Sequence, residues 1–317
     1  MRGSPSFIET KTCRYGIQAL DDAAVAIKSG LPVAIPTETV YGLAANARDS
    51  EAVVAVYAAK GRPSFNPLIV HVTDLEMARE IAHFDDLALK LADAFWPGPL
   101  SLVLPVREDS GLSPLVMAGL PTVAIRCPAH RAMRGLIEKS GVPLAAPSAN
   151  TSGSISPTSA EHVRASLGGK IPLIIDDGPT TRGLESTIAA PAGVVIRLLR
   201  PGPVTARMLE QAGGVPVVTG GEGKIEAPGQ MASHYAPSKP VRLNATDAQA
   251  GEYWIGFGGM SGDISLSETG DLDEAAANLF AALHMADASS RAAIAVAPIP
   301  LDGIGVAIND RLNRAAA

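Results

Sequence analysis

Between Ala146 and Thr158 the chain reads APSANTSGSISPT, which sets six hydroxyl side chains, one Asn and one Gly in thirteen residues directly after an apolar segment. Hydroxyls and turn amides donate to oxyanions, and Gly153 lets the backbone approach a ligand, so such a loop at a strand end can cradle phosphate oxygens. The same residues also suit a capped turn. Ser156 followed by Pro157 reads as a helix start, with an amphipathic helix expected at Ala160–Leu167.

Two other segments share this character: PTETVYGLAANA at Pro36–Ala47 and KGRPSFNPLIVHV at Lys60–Val72. Each joins a predicted helix and strand through polar, turn-forming residues. In Lys60-Gly61-Arg62-Pro63 an ammonium and a guanidinium fork are held near one another, as polyphosphate binding requires. A lysine at a helix C-terminus is favoured by the macrodipole as well, so the segment alone fits either a site or a solvated helix end.

These loops need elements to carry them. Apolar periodicity predicts helices at Gln18–Ser29, Ser50–Ala59, Asp74–Ile81, Leu87–Phe95, Ala129–Glu138 and Val204–Gln211. Strands are expected at Val33–Pro36, Leu68–Val72, Leu100–Pro105, Val123–Arg126, Leu144–Ala146, Leu173–Asp176, Thr187–Ala190 and Val194–Leu199. The Trp-Pro-Gly-Pro turn at 96–99 breaks one helix and launches the strand after it. More strands than helices argue for a twisted, mixed sheet with helices packed on it rather than a simple βαβ repeat.

From Gly213 to Lys239 the composition turns Gly/Pro-rich, which marks a linker at 215–238 between a larger domain, 1–214, and a smaller α/β domain, 239–317. The smaller unit is expected to hold strands near Val241–Leu243, Tyr253–Phe257 and Ala293–Ala297, with helices at Leu272–Ala288 and Gly303–Asn313.

With 317 residues, 47% apolar and 18% charged, the chain is globular and long enough for two domains. Aromatics at 4% leave the core to Ala, Val, Leu and Ile, which suits buried strands under helices. The two cysteines, Cys13 and Cys127, have no metal-ligand spacing and make no disulfide framework, so a reducing cytoplasm is expected. No apolar h-region opens the chain and no uncharged run is long enough to span a bilayer, so no membrane association is expected.

The net charge of −6 is uneven: residues 239–317 carry 5 Lys and Arg against 10 Asp and Glu, leaving 21 against 22 before them. That balance lacks the basic footprint of a strong nucleic-acid binder and leaves room only for a local basic cavity.

Familiar catalytic signatures are missing. GFGGMSG at Gly256–Gly262 has its third glycine one place late for a dinucleotide fingerprint and reads as a glycine turn. GGEGKI at 220–225 lacks the upstream glycine and the Ser/Thr of a Walker A loop. No G-x-S-x-G, H-E-x-x-H or paired-Cys motif occurs, and His83, His130, His162 and His284 read as helix-surface or capping residues.

Seven ordered segments do carry a resemblance: PTETVYGLA (36–44), KGRPSFNPL (60–68), FWPGPLSLVL (95–104), TVAIRCP (122–128), APSANTSGSISPT (146–158), GLESTI (183–188) and IRLLRPGPV (196–204). Together they resemble the YrdC-like threonylcarbamoyl-AMP synthases, in the long form with a second C-terminal domain. The resemblance implies an α/β fold with a twisted mixed sheet and an open cavity, followed by a small Rossmann-like domain. It also implies condensation of L-threonine, bicarbonate or CO2, and ATP into threonylcarbamoyl-AMP with release of pyrophosphate, a nucleotidyltransferase reaction. Mg2+ would accompany ATP, and no protein-held metal is implied. The product would pass to a separate transferase complex that modifies tRNA.

Carried over position by position, the resemblance assigns Lys60 and Arg62 to the triphosphate and the catalytic role, and Asn66, Thr122, Ser148, Ser156 and Arg200 to the rest of the ATP site. It assigns Thr39, His71, Arg126, Ala146 and Ser186 to L-threonine. Arg126, at the end of TVAIR, would grip the amino-acid carboxylate through a bidentate pair. In the linker, SHYAP at 233–237 matches the long form, whose linker folds over the cavity as a lid and sets a tyrosine, here Tyr235, against ATP. The residues Gln230–Ser233 depart from the commoner family pattern there. Two rival readings are a non-enzymatic RNA-binding module, against which the charge argues, and a carbamoyl transferase like those of hydrogenase maturation, which carry Cys-rich zinc motifs.

Overall fold

The computed structural model describes residues 8–63, 65–219 and 234–317. In chain order the first half runs β1 (Lys11–Arg14), α1 (Ile17–Lys28), β2 (Val33–Pro36), β3 (Tyr41–Asn46), α2 (Ser50–Lys60), β4 (Ile69–His71), α3 (Leu75–Ile81) and α4 (Asp86–Phe95). It continues through β5 (Leu100–Pro105), α5 (Pro114–Met117), β6 (Thr122–Arg126), α6 (Arg131–Ser140), β7 (Leu144–Ala145), α7 (Ala160–Leu167) and β8 (Leu173–Asp176). Next come β9 (Thr187–Ala192), β10 (Val195–Arg200), α8 (Ala206–Gly213) and β11 (Val217–Thr219). The C-terminal unit holds β12 (Val241–Arg242), β13 (Glu252–Gly256), β14 (Ile264–Ser265), α9 (Leu272–Ala288), β15 (Ala293–Val296) and α10 (Gly305–Ala315).

Strands β1 to β11 form one mixed sheet in the order β1-β8-β2-β3-β7-β4-β6-β5-β9-β10-β11. Its centre is buried on both faces, which is why these strands read as continuous apolar runs. In β2, Val33 and Ile35 pack with Leu20, Ile27, Met133 and Leu136 of α1 and α6, while Ala34 between them joins the cluster on the opposite face. Side chains two apart share a face, so one short strand serves both helical layers.

The helices start where side-chain oxygens can take their orphan amides. Asp49, Asp74, Asp85, Ser159, Thr205 and Asp271 each cap a helix N-terminus. The expected start at Ser156-Pro157 is corrected: α7 begins at Ala160 under Ser159. The Pro157 carbonyl is taken by the Tyr41 amide, and the Ser156 hydroxyl is donated to Glu185, so neither residue is available to the helix.

Strands β1, β3 and β14 and the one-turn helix α5 were not expected from the sequence. The expected linker at 215–238 is also corrected in part, because Val217–Thr219 pairs in parallel with β10 as the sheet edge. Within that linker, Gln230–Ser233 and the rest of residues 220–233 lie outside the described residues.

In the C-terminal unit β12-β15-β13-β14 pair in parallel throughout, with α9 and α10 completing the expected small α/β domain. Its Gly256–Gly262 segment is a turn, closed by a bridge between Phe257 and Met260. Its core does not stop at the domain boundary. Val40, Ile155, Leu184 and Tyr235 are buried in the same cluster as Leu279, Phe280 and Ile308. Among the described residues no helix is long and apolar enough to cross a membrane.

Candidate active site

A cavity opens where the loops after β2, α2 and β7 and the loop before β9 meet the segment that begins at His234. Three arginines face it, Arg62, Arg126 and Arg200, each nine-tenths or more buried.

At one end Arg126 closes β6. Its Nε donates to the Gly98 carbonyl at 3.1 Å, its Nη1 donates to Thr39 Oγ1 at 2.9 Å, and its Nη2 lies 2.7 Å from Glu38 Oε1. The Trp-Pro-Gly-Pro turn thus serves the site by presenting a carbonyl. Thr39 is fixed in turn by Thr37, whose hydroxyl lies 2.8 Å away. Nη2 meets Glu38 as an ion pair outside hydrogen-bond geometry, so the two Nη groups keep N–H donors that a carboxylate could accept.

Burial pushes the Glu38 carboxyl up, but the adjacent Arg126 guanidinium outweighs it and holds Glu38 ionised below its ordinary range. His71 lies on β4, in register with Arg126. Burial, reinforced by Arg126, depresses its imidazole to about 3, so it is neutral. Its Nδ1 has no hydrogen-bond partner among the described residues, and the ring lines the cavity beside Ala146.

At the other end, α2 stops at Gly61, whose φ of 61° is the left-handed conformation that a glycine adopts without strain. The turn leaves Lys60 on the helix and frees Arg62. Lys60 is 1% exposed and donates its Nζ to the carbonyls of Ser148 and Asn150, each at 2.5 Å, so it braces the hydroxyl-rich loop from behind. Arg62 donates to the carbonyls of Asn66 and Pro67 at 3.2 and 2.9 Å.

Among the described residues neither cation meets a carboxylate. Burial lowers the Lys60 pKa well below its ordinary value, with Arg62 adding repulsion, and burial brings Arg62 to about 10. Arg200 donates Nε and Nη2 to the Ser186 carbonyl at 3.0 and 2.9 Å, and Nη2 also reaches Ser186 Oγ at 3.1 Å.

The roof is Tyr235, 1% exposed, with φ 63°. Burial, then the Glu185 charge, raise its phenol, so it stays neutral beside Arg200. Glu185 completes this wall. Its Oε2 lies 2.7 Å from Arg311 Nε on α10, while its Oε1 takes the Ser156 hydroxyl. Burial opposes its charge, but Arg311 and Arg200 hold the carboxyl below its ordinary range.

Nine of the residues proposed from sequence line this one cavity: Thr39, His71, Arg126, Ala146 and Ser186, with Arg62, Ser148, Arg200 and Tyr235. Four do not. Lys60 and Asn66 are buried behind the wall, Ser156 is turned to Glu185, and Thr122 is half-buried at the start of β6. Of the six loop hydroxyls only Ser148 faces the cavity, and Thr151, for one, is used by Ser166 instead.

Sequence reasoning missed Glu38, Glu185 and Arg311. The first two sit inside motifs already singled out, PTETVYGLA and GLESTI, where a carboxylate beside a site residue was the available signal. Arg311 carried none. The expected surface roles of the histidines hold for His130, which caps α6, whereas His162 and His284 stack at 3.8 Å across the domain boundary.

Among the described residues no group of three or more His, Cys, Asp or Glu could hold a metal. Both cavity carboxylates are already paired to arginines. Among the described residues the cavity therefore offers a divalent ion no unpaired carboxylate.

Two family models match end to end: one of the Sua5/YciO/YrdC group, described as telomere recombination, over residues 25–202, and the threonylcarbamoyl-AMP synthase C-terminal domain over 204–317. The threonylcarbamoyl-AMP synthase of Bacillus subtilis (strain 168) is 41% identical over 96% of this chain and 98% of its own. That of Pyrococcus abyssi (strain GE5 / Orsay) is 40% identical over 93% of each. The crystal structure of P. abyssi Sua5 complexed with L-threonine superposes with a TM-score of 0.87 at 37% identity, covering 97% of both chains. The cavity loops and the domain that roofs them thus have counterparts along the whole length, and the chain belongs to the threonylcarbamoyl-AMP synthase family in its two-domain form.

Proposed function

We propose that this protein is a nucleotidyltransferase that condenses L-threonine, bicarbonate or CO2, and ATP into threonylcarbamoyl-AMP and releases pyrophosphate. The observation that carries the reading is a cavity faced by the buried arginines Arg62, Arg126 and Arg200 with Lys60 behind its wall, where among the described residues neither Arg62 nor Lys60 meets a carboxylate. Uncompensated buried charge is costly, and a bound polyanion offsets that cost.

The chemistry needs no protein nucleophile. Threonine carbamate is itself a carboxylate, and one of its oxygens bonds to the α-phosphorus as the bond to the β-phosphate oxygen breaks and pyrophosphate leaves. What the protein must supply is alignment and charge stabilisation. Arg62 and Arg200 suit the phosphates, with Lys60 holding the Ser148 loop in place. The Arg126 fork suits the threonine carboxylate, and Thr39, His71, Ala146 and Ser186 surround the rest of the amino acid. Asn66, Thr122 and Ser156 are proposed as outer ATP contacts reached when the cavity fills.

Tyr235 would lie against the nucleotide as a lid, excluding water from a labile mixed anhydride. Mg2+ would arrive with ATP as its counter-ion. The product would be handed, in the cytoplasm, to a separate complex that transfers the threonylcarbamoyl group to tRNA.

The test is pyrophosphate release from Mg-ATP with and without L-threonine and bicarbonate, with Arg62→Ala as control. Release that requires both substrates and collapses in the variant supports the reading. Release driven by carbamoyl phosphate instead, or none from folded protein, overturns it.

A further inference from the structure

The C-terminal domain sends one side chain through the boundary. Arg311, on α10, is fully buried, and its guanidinium touches three parts of the cavity wall. Nε meets Glu185 Oε2 at 2.7 Å, Nη2 donates to the Pro201 carbonyl at 3.0 Å, and Cζ lies over the Tyr235 ring, 5.1 Å from its centroid. Asp310, at 2.6 Å from Nη1, balances the remaining charge. The same helix also reaches the roof through its backbone, since the His234 amide donates to the Arg314 carbonyl at 3.2 Å.

Fold stability is a poor account of this arrangement. A buried Arg–Glu pair replaced by apolar groups of similar volume is often neutral or stabilising, because desolvation costs about as much as the pair returns. What an apolar pair could not do is hold a charge pattern. Glu185 lies within the field of both Arg311 and Arg200. With Arg311 in place the carboxylate is satisfied from the far side, while Arg200, bonded to Ser186, lines the cavity. Without it, Arg200 is the cation whose field still reaches Glu185, and a pairing between them would cost the wall a positive charge.

We propose that Arg311 is a positioning residue for nucleotide use, by which the C-terminal domain holds Glu185 away from Arg200 and braces Tyr235 over the cavity. This rests on the reading above in placing ATP beneath Tyr235. The guanidinium is suited to the task because its planar fork bonds Glu185 and Pro201 at once while its Cζ stands over the Tyr235 ring, and a lysine cannot do all three.

Two variants of the full chain separate function from fold. Arg311→Lys keeps the charge and loses the fork. The double variant Arg311→Met with Glu185→Met replaces the pair by apolar groups. In steady-state assays Arg311→Lys should raise KM for ATP by about tenfold or more, and the double variant, which removes the carboxylate that would capture Arg200 and loses only the brace on Tyr235, by clearly less, with KM for L-threonine within about twofold of the parent in both. The double variant should melt near the parent Tm.

A role in the fold alone would instead lower Tm and the active fraction and leave both KM values unchanged, and that result overturns the proposal. Hydrogen exchange gives a readout that needs no turnover. The Ala236 amide, bonded to the Gly153 carbonyl at 2.8 Å, should exchange faster in Arg311→Lys while amides in the middle of α9 do not change. If the parent releases no threonine-dependent pyrophosphate, the functional reading fails by itself. Exchange at Ala236 then still decides the coupling, and parent-like exchange there refutes it.

Discussion

Lys60 Nζ lies 2.5 Å from the carbonyl of Ser148, so the last turn of α2 is tied to a loop 88 residues further along the chain. The contact joins the two segments whose composition first suggested phosphate chemistry. In Lys60→Met the Ser148 and Asn150 carbonyls would lose this donor and the loop its brace. Stability should fall by about 1–3 kcal/mol, and ATP use should fall with it. Urea denaturation together with the KM for ATP checks both, and an unchanged midpoint would remove the bracing role.

Arg62 is held more locally, by the carbonyls of Asn66 and Pro67 a few residues on. Arg62→Ala should therefore fold normally and lose about 10²–10³ in kcat/KM for ATP, the range seen when one donor to a developing charge is removed. Arg62→Lys should recover only part, because an ammonium cannot fork. Parent-like kinetics from Arg62→Lys would show that charge without geometry suffices.

Glu38 orients Arg126 and touches no proposed phosphate ligand. Glu38→Gln keeps the shape and removes the charge that fixes the guanidinium. KM for L-threonine should rise by about tenfold, with KM for ATP nearly constant. A matched rise in both would place Glu38 in the fold rather than in amino-acid binding.

Two buried imidazoles, His71 and His234, and the half-buried His162 should weaken the fold in acid. His71 and His234 fall to about 3 and His162 to about 4, from an ordinary 6.5, in each case chiefly through burial. Between those values and 6.5 the unfolded chain binds protons that the folded chain does not. Stability is therefore full above pH 6.5 and is lost as pH falls through the window, by up to about 1.4 kcal/mol per pH unit for each of His71 and His234 and by less for the more solvent-screened His162. Tm measured from pH 7 to pH 4 should drop accordingly. His162→Gln, which leaves the cavity untouched, should flatten the slope.

Gly183 adopts φ 68°, and a Cβ there would stand 2.4 Å from the carbonyl oxygens of Ala276 and Ala277 on α9. Gly183→Ala combines an unfavourable backbone with a wedge between the domains, so a loss of several kcal/mol is expected, on the order of 2–4. Calorimetry would register it as a large fall in Tm. A shift of under a degree would mean that α9 can retreat freely.

The sequence made most of this architecture legible, for reasons that differ by element. Helix α9 and the strands β2, β5 and β8 fall where periodicity placed them, because their apolar patterns are long or bounded by turn residues. Strand β3 was hidden by its own composition. YGLAAN is rich in Gly and Ala, poor strand formers whose place here is set by burial between β2 and β7. Strand β11 was masked by Gly and Pro around a three-residue edge. Within the site, motif spacing led to the residues that face the cavity. The partners that hold them are joined by contacts as distant as Glu185 and Arg311, 126 positions apart, which no local pattern announces.

The shared core across the boundary has a consequence for recombining these proteins. Val40, Ile155 and Leu184 belong to the catalytic half by sequence and to the C-terminal half by packing. A chimera that exchanged only residues 239–317 would set a foreign surface against three side chains shaped for the original one, and core complementarity tolerates such mismatch poorly. The exchangeable module is the C-terminal segment together with those three positions, although they lie scattered through the first 184 residues.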